Sequence, residues 1–118
     1  IGLTIVGNNM NRSLFLLVFL FALISCNKIK RTPVCIQDKI YEFQENSICD
    51  SGSAVLEYDF QDKIVYVFEQ GTCGADLSAA VLNSKCIILG NLGGFTGKSE
   101  INGEAFSNAS FRRTIWKQ

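Results

Sequence analysis

Residues 54–69 read AVLEYDF, QD and KIVYVFE, two seven-residue runs rich in β-branched and aromatic residues that flank two polar residues. Runs of this composition around a two-residue connection are typical of a β-hairpin. A two-residue loop would place Tyr58 opposite Val65 and Leu56 opposite Val67. Gln-Asp is not the Asn-Gly pair that such loops prefer, so a register shifted by one residue, which would exchange the two faces, stays open. The predicted register puts five side chains on one face, which we expect to carry a helix: Leu56, Tyr58, Phe60, Val65 and Val67.

The segments around this hairpin supply the other elements of the predicted fold. Thr32 as N-cap and Pro33 at the first helical position make a good helix start, and apolar residues recur every three or four positions through residues 34–44. Residues 46–53 are predicted to be a loop. Further along we predict a short helix at 76–82, a strand at 86–89, a glycine-rich loop at 90–103 and a last strand at 112–117. The order favours an α+β fold, a small, mainly antiparallel sheet with a central hairpin, an N-terminal helix packed on one face, and disulfide staples.

The N-terminal part of the chain has the pattern of an export signal. A positively charged stretch at 10–13 precedes an apolar run at 14–24, and this run is shorter than the ~20 residues of a membrane-spanning helix. Leu23-Ile24-Ser25-Cys26 resembles the lipobox of bacterial lipoproteins. The resemblance implies that the Cys26 thiol receives a diacylglycerol, that the signal is cut before it, and that the new amino terminus is acylated. The alternative is an ordinary cysteine at the end of a buried apolar helix.

These features divide the chain into four parts. We interpret residues 1–9 as an upstream extension, 10–25 as a lipoprotein signal peptide, 26–33 as a lipidated tether and 34–118 as a single small α+β domain. Asn27 after the cysteine implies, by the same resemblance, the outer membrane of a bacterial cell envelope, with the periplasm as the compartment of export. The cations Lys28, Lys30 and Arg31 are either solvated or lie against anionic headgroups.

Four cysteines remain when Cys26 is set aside: Cys35, Cys49, Cys73 and Cys86. An even number in a small exported domain predicts two disulfides, and three pairings are possible. We prefer Cys49 with Cys73 and Cys35 with Cys86, because that pairing ties the first helix to the sheet. Metal ligation is the competing reading, but the chain has no CxxC pair and no histidine.

Composition and motifs weigh against several classes of function. Acidic and basic residues number 11 each, so net charge gives no sign of nucleic acid binding. Without histidine, the commonest general base and the commonest transition-metal ligand are missing, and no Gly-x-Ser-x-Gly motif is present. The segment 93–99 is not a phosphate-binding P-loop, because Leu92 stands where that motif needs its first glycine. We therefore expect no cofactor, no metal site and no nucleic acid partner.

The glycine-rich segment is the candidate binding site. Gly93, Gly94 and Gly97 remove side chains from one short stretch, while Phe95 and Lys98 provide an apolar and a charged contact. Loops on a rigid scaffold carry binding function disproportionately. A weaker idea is that the backbone amides form an anion-binding nest, and the plainest alternative is a structural connection in which Phe95 is buried.

Carboxylates are scattered along the chain. Glu57 and Asp59 lie two apart on a predicted strand, on the face opposite the predicted core, where carboxylates usually serve solvation. They nevertheless define an alternative function, a small hydrolase or lyase of the cell envelope that works through Glu57, Asp59 or Asp76.

The order of motifs in the mature chain resembles an uncharacterised family of short bacterial lipoproteins, a domain of unknown function. The matching segments are residues 35–36, 58–61, 65–68, 72–76, 93–97 and 115–116. Because this family has no established activity, the resemblance implies no catalytic or binding residue. We expect a monomeric, membrane-anchored envelope lipoprotein that acts as a non-enzymatic module and binds an envelope protein or glycan.

Overall fold

The computed structural model describes residues 28–118. This part of the chain contains one α-helix, seven β-strands and a short 3-10 helix at Phe106–Asn108. In chain order the elements are α1 (Val34–Glu45), β1 (Ala54–Phe60), β2 (Lys63–Glu69), β3 (Ser78–Asn83), β4 (Ile88–Gly93), β5 (Glu100–Ile101), β6 (Glu104–Ala105) and β7 (Ser110–Lys117). A mainly antiparallel sheet with one helix and two disulfides is thus confirmed.

Five antiparallel strands form the main sheet in the order β4-β3-β2-β1-β7, and β5 pairs with β6 separately. In the pairing of β1 with β2, Tyr58 lies opposite Val65 and Leu56 opposite Val67, so the predicted register is confirmed. Gln61 and Asp62 connect the strands with φ angles of 53° and 60°. Left-handed backbone at both central residues is the conformation of a type I′ turn, whose twist matches that of the flanking strands.

The registers define two ends of the sheet. The hairpin end contains Gln61 and Asp62 together with the β3–β4 turn, because Val65 pairs with Asn83. The loop end contains the connection from β2 to β3 and the turn that follows β4, because Ser78 pairs with Gly93. Strand β7 runs from the hairpin end to the loop end, since its first residue pairs with Asp59 and its Lys117 with Ala54.

The helix packs against side chains other than those predicted. Ile36 and Ile40, both fully buried, belong to a cluster with five sheet residues: Val55, Tyr66, Phe68, Leu82 and Ile115. The face that we expected to carry the helix instead clusters with Val81 of β3, Ile101 of β5 and Phe106. The prediction was wrong because both faces of the hairpin are apolar, as in a sheet buried on both sides, so the pattern could not identify the helix side.

The start of α1 also differs from the prediction. The helix begins at Val34, and Pro33 rather than Thr32 occupies the N-cap position. Thr32 is buried and turns its side chain backwards, with Oγ1 donating a hydrogen bond of 2.6 Å to the carbonyl oxygen of Ile29. Its hydroxyl therefore stabilises the turn before the helix instead of capping the helix amides.

The region after β2 contains more strand than predicted. Residues 76–82 do not form a helix, because Ser78–Asn83 is strand β3 and bonds both β2 and β4. Strand β4 begins at Ile88, since Cys86 adopts a left-handed φ of 63° in the preceding turn, and it continues to Gly93. Gly90 fits inside this strand because a Cβ there would lie 2.9 Å from Cδ1 of Ile101, which packs across it. The prediction of one loop over residues 90–103 is therefore wrong, because only the turns before and between β5 and β6 are irregular.

Candidate functional site

The turn after β4, residues 93–98, is closed by its own backbone. The amide of Gly93 donates to the Lys98 carbonyl at 2.7 Å, and the amide of Lys98 donates to the Gly93 carbonyl at 3.1 Å. Inside this pair, the Gly97 amide donates to the Gly94 carbonyl at 3.1 Å. The three glycines have φ angles of 74°, 76° and 61°, which side-chain-bearing residues rarely adopt. We call this segment the Gly93–Lys98 turn.

Phe95 stands at the tip of the Gly93–Lys98 turn and is 91% exposed to solvent. Lys98 is exposed as well. The burial of Phe95 that we expected of a purely structural connection is therefore wrong, whereas the three glycines do supply left-handed backbone, as that alternative also expected. The anion-nest idea loses three of its donors, because the amides of Gly93, Gly97 and Lys98 are already hydrogen-bonded within the turn.

Glu57 does not lie on an exposed face, as the sequence suggested, but is buried with an exposure of only 4%. Its Oε2 accepts hydrogen bonds from Nε of Arg112 and from Nε of Arg113, each at 3.1 Å. Its Oε1 accepts from a terminal nitrogen of Arg113 at 3.3 Å. Arg112 also bonds Oδ2 of Asp59 at 3.0 Å. We call Glu57, Asp59, Arg112 and Arg113 the Glu57 cluster.

An irregularity of β7 explains how two consecutive arginines reach one carboxylate. Successive side chains of a regular strand point to opposite faces. Here Glu57 pairs with Arg113 while Tyr58 pairs with Phe111, which leaves Arg112 as an extra, bulged residue. The bulge brings both guanidinium groups to Glu57. Adjacent arginines are the only sequence signal of this cluster, and the burial of Glu57 had none.

The electrostatics of the cluster extend to a tyrosine on the neighbouring strand. Burial first, and then the negative charge of Glu57, raise the pKa of Tyr66 above its ordinary value of 10.0. Hydrogen bonds to Asp59 and then to Glu57 raise the pKa of the Arg112 guanidinium. Both oxygens of Glu57 are engaged by arginine, so this carboxylate is built as an ion-pair partner.

Of the three carboxylates named for a hydrolase or lyase, Glu57 and Asp59 come together around Arg112, but Asp76 does not join them. Asp59 pairs with Ile64 near the hairpin end, and Glu57 lies on the same strand two residues away. Asp76 is exposed in the connection before β3, at the loop end. Among residues 28–118, no group of three or more cysteine, aspartate or glutamate side chains could hold a metal ion.

Two grooves flank helix α1. One, of about 340 Å³, is lined largely by apolar residues of the helix and of strands β2 to β4, including Phe43, Phe68 and Leu82. The other is open and polar, and it lies between the start of the helix and the Glu57 cluster, with Arg31 and Ser84 on its rim. Within the described part of the chain, no helix is long and apolar enough to span a bilayer.

The disulfides join Cys35 to Cys86 and Cys49 to Cys73, which is the pairing that we preferred. Their Cα atoms are 6.1 Å and 5.5 Å apart, within the usual range for a disulfide. The first bridge ties the start of α1 to the β3–β4 turn, and the second joins the two connections at the loop end. Cys26, the predicted lipidation site, lies outside the described residues.

Comparison with known protein families matches this chain to a family whose activity is undefined. The family DUF6970, described as a domain of unknown function, matches residues 41–118. The match covers more than half of the chain, so the protein belongs to this family. No curated protein and no solved structure matches the chain.

Proposed function

We propose that this protein is a lipoprotein of the bacterial cell envelope, anchored by lipid on Cys26, and that its domain is a non-enzymatic module for a protein or glycan partner. The lipobox at 23–26 and the short apolar run before it support the anchor. Two or three acyl chains, at ~0.8 kcal/mol per buried methylene, are enough for stable attachment, whereas one chain is marginal.

The exposure of Phe95 is the observation that carries the binding proposal. A phenylalanine in water gains nothing for folding, and its ring offers a large apolar face for a sugar ring or a protein pocket. The hydrogen bonds that close the Gly93–Lys98 turn hold it in one shape, so little conformational entropy is lost when a partner binds. Lys98, three residues after Phe95, adds a charged contact at the same turn.

The arrangement of the carboxylates supports a non-enzymatic role over the hydrolase or lyase alternative. A general base needs a free lone pair near its substrate, and the oxygens of Glu57 accept hydrogen bonds from two arginines. Hydrolysis of peptidoglycan or a simple ester that is lost in Glu57→Gln or in Asp76→Asn would reverse this preference.

Metabolic labelling with radioactive palmitate tests the anchor. The wild-type protein should incorporate the label, and Cys26→Ala should not, because the thiol is the acceptor of the diacylglycerol. Cys26→Ala retains all four cysteines of the domain, so its disulfides serve as a folding control. Equal labelling of both proteins would end the proposal of an anchor at this residue.

Photo-crosslinking in intact cells tests the binding site. A photoreactive phenylalanine analogue at position 95 should give a discrete adduct, whose protein or glycan nature follows from digestion with protease or glycosidase. Phe111 is the matched control, because it is also an exposed phenylalanine but lies near the hairpin end. Adducts of equal yield and identity from both positions would show that the Gly93–Lys98 turn is not the site.

Two substitutions separate binding from folding. Phe95→Ala and Lys98→Ala remove exposed side chains, so each should change the free energy of unfolding by less than about 0.5 kcal/mol while weakening capture of the crosslinked partner. If Phe95→Ala lowers stability by the ~3 kcal/mol or more typical of a core phenylalanine, the residue is structural. Thermal unfolding and a pull-down with the identified partner supply the two measurements.

A further inference from the structure

Residues 28–32 are attached to the domain instead of extending away from it. Ile29 packs against the cluster that holds the helix, and Thr32 is buried. Nε2 of Gln37 donates hydrogen bonds to the carbonyl oxygens of Lys30 at 3.2 Å and of Thr32 at 2.8 Å. Together with the Thr32 hydrogen bond to Ile29, these contacts fix the path of the chain where it enters the fold.

This entry point lies beside the Glu57 cluster and carries excess positive charge. A terminal nitrogen of Arg113 reaches the carbonyl oxygen of Lys28 at 3.5 Å, a long hydrogen bond. Arg112 and Arg113 are balanced by Glu57 and Asp59, whereas Lys28, Lys30 and Arg31 are exposed and appear in none of the ion pairs among the described residues. Lys85, also exposed, follows Ser84 on the rim of the same polar groove.

The distance to the anchor then constrains the domain. Cys26 precedes Lys28 by two residues, and two residues span at most about 7 Å. That reach is no longer than the screening length of about 8 Å at physiological ionic strength. A lipid on Cys26 therefore places Lys28, and the fixed segment that follows it, inside the electric field of the membrane surface.

We propose that the basic end of the domain, formed by Lys28, Lys30, Arg31 and Lys85, docks on anionic lipid headgroups. This inference rests on the proposed lipidation of Cys26. The fixed entry segment converts a lipid anchor into a defined orientation, because the chain cannot swing freely between Ile29 and the sheet. Lys85 lies in the β3–β4 turn at the hairpin end, and the Cys35–Cys86 bridge holds the start of α1 at that turn. The Gly93–Lys98 turn lies at the loop end, so docking directs Phe95 away from the bilayer.

Lysine footprinting on vesicles tests the orientation with the whole mature protein. Lipidated protein is reconstituted into neutral phosphatidylcholine vesicles or into mixtures with phosphatidylglycerol, treated briefly with an amine-acylating reagent, and mapped by mass spectrometry. On the anionic vesicles, Lys30 and Lys85 should react roughly five-fold more slowly, the equivalent of ~1 kcal/mol per basic residue near such a surface. High salt should remove the difference.

Lys98 and Lys117 are internal controls, because both lie at the loop end and should react equally on both kinds of vesicle. Arg31→Gln should reduce the protection of Lys85 several-fold, whereas Lys117→Gln, a matched loss of charge at the loop end, should leave it unchanged. Intact mass reports the lipid independently in each sample.

The outcomes separate the two proposals. If the mass shows lipid but Lys85 reacts equally on neutral and anionic vesicles, docking is wrong while the anchor stands. Protection of Lys28 and Lys30 alone would mean that only the entry segment lies near the surface, and this too overturns docking. Purified mature protein without lipid on Cys26 would overturn both proposals.

Discussion

At the scale of single residues, Glu57 stands out because it is a buried ionisable side chain in the described part of the chain. A buried carboxylate is tolerated only when its charge is compensated, and here two guanidinium groups from consecutive residues compensate it. The arginines remain partly exposed, so the network is not a fully desolvated ion pair. The cost of removing its carboxylate should therefore lie below the ~3 to 5 kcal/mol that is typical when one partner of a completely buried pair is removed.

Glu57→Gln should lower the free energy of unfolding by about 1 to 3 kcal/mol, because Arg112 and Arg113 lose their shared counter-charge while the side chain keeps its shape. Urea unfolding measures the change. Asp59→Asn is the matched control, since Asp59 contacts Arg112 but is 48% exposed, and its effect should be much smaller. Equal effects of the two substitutions would contradict the assignment of Glu57 as the centre of the cluster.

The raised pKa of Tyr66 predicts how the free energy of unfolding depends on pH. Burial and the charge of Glu57 raise its folded-state pKa, so the folded protein retains a proton that the unfolded chain releases above its ordinary pKa of 10.0. The corresponding stability is present below that pKa and is lost as the pH rises through the raised, folded-state value. Between about pH 9 and about pH 11, Tyr66→Phe should lose less unfolding free energy than the wild type.

Tyr58 provides the comparison for this experiment. Its pKa is also raised, by burial first and by Glu69 second, and it remains in the Tyr66→Phe variant. The variant should therefore retain part of the alkaline destabilisation, and substitution of both tyrosines should flatten the profile further. Identical alkaline profiles for the wild type and Tyr66→Phe, from urea unfolding at each pH, would contradict the assignment.

At the scale of elements, the β1–β2 turn forms although its two residues disfavour the backbone conformation that they adopt. Gln61 and Asp62 both adopt left-handed backbone, which is unfavourable for a residue with a Cβ and nearly free for glycine. The flanking strands impose this conformation, because seven cross-strand residue pairs join β1 to β2 and leave only two residues for the connection. The turn therefore carries strain that one substitution can relieve.

Asp62→Gly should stabilise the protein by about 0.5 to 1 kcal/mol, because the relief of strain exceeds the added entropy of the unfolded chain. Gln61 is left in place, since its Oε1 accepts a hydrogen bond of 3.4 Å from Asn102. Asp62→Val supplies the opposite control, as a β-branched residue is strongly disfavoured there and should destabilise. The melting temperature should be highest for Asp62→Gly, intermediate for the wild type and lowest for Asp62→Val. Any other order would contradict the proposed strain in the turn.

Strand β3 shows why a local pattern failed at this scale. Leu77 and Val81 are four residues apart, which is the spacing of a helical stripe, yet Val81 and Leu82 are both buried. Two adjacent buried residues point to opposite faces of a sheet that is covered on both sides, by α1 on one and by Ile101 and Phe106 on the other. Pairing with β2 and β4 provided this burial and outweighed the helical spacing.

At the scale of the whole molecule, two nested disulfides restrict the unfolded chain. Cys49–Cys73 has a sequence separation of 24 residues and lies inside Cys35–Cys86, whose separation is 51. The remaining core is small, and domains of this size commonly need such staples. Because one loop encloses the other, their contributions should not be additive.

Replacing either pair by serine should cost about 3 to 4 kcal/mol, with the larger loss for Cys35–Cys86 because it closes the longer loop. Urea unfolding of Cys49→Ser with Cys73→Ser, and of Cys35→Ser with Cys86→Ser, measures both losses. The wild type with reduced and alkylated cysteines should be less stable than either variant. A midpoint unchanged by removal of either pair would show that the bridge contributes nothing.

Sequence alone was sufficient for features that depend on neighbours along the chain. The composition of residues 54–69 predicted both strands, apolar spacing predicted the helix, and the preferred register of the hairpin is the observed one. The number of cysteines predicted two bridges, and the pairing that we preferred among the three possible ones is the observed pairing. The Gly93–Lys98 turn was recognisable because glycines mark the positions where the backbone must be left-handed.

Tertiary structure decided what depends on competition between distant segments. Both faces of the hairpin are apolar, so only the space available to α1 and to the segment around Ile101 determined which face the helix covers. The pairing of Glu57 with two consecutive arginines depends on a bulge in β7, which arises from pairing between strands more than fifty residues apart. Local sequence encodes the backbone preference of each segment, whereas burial and charge compensation exist only once those segments meet.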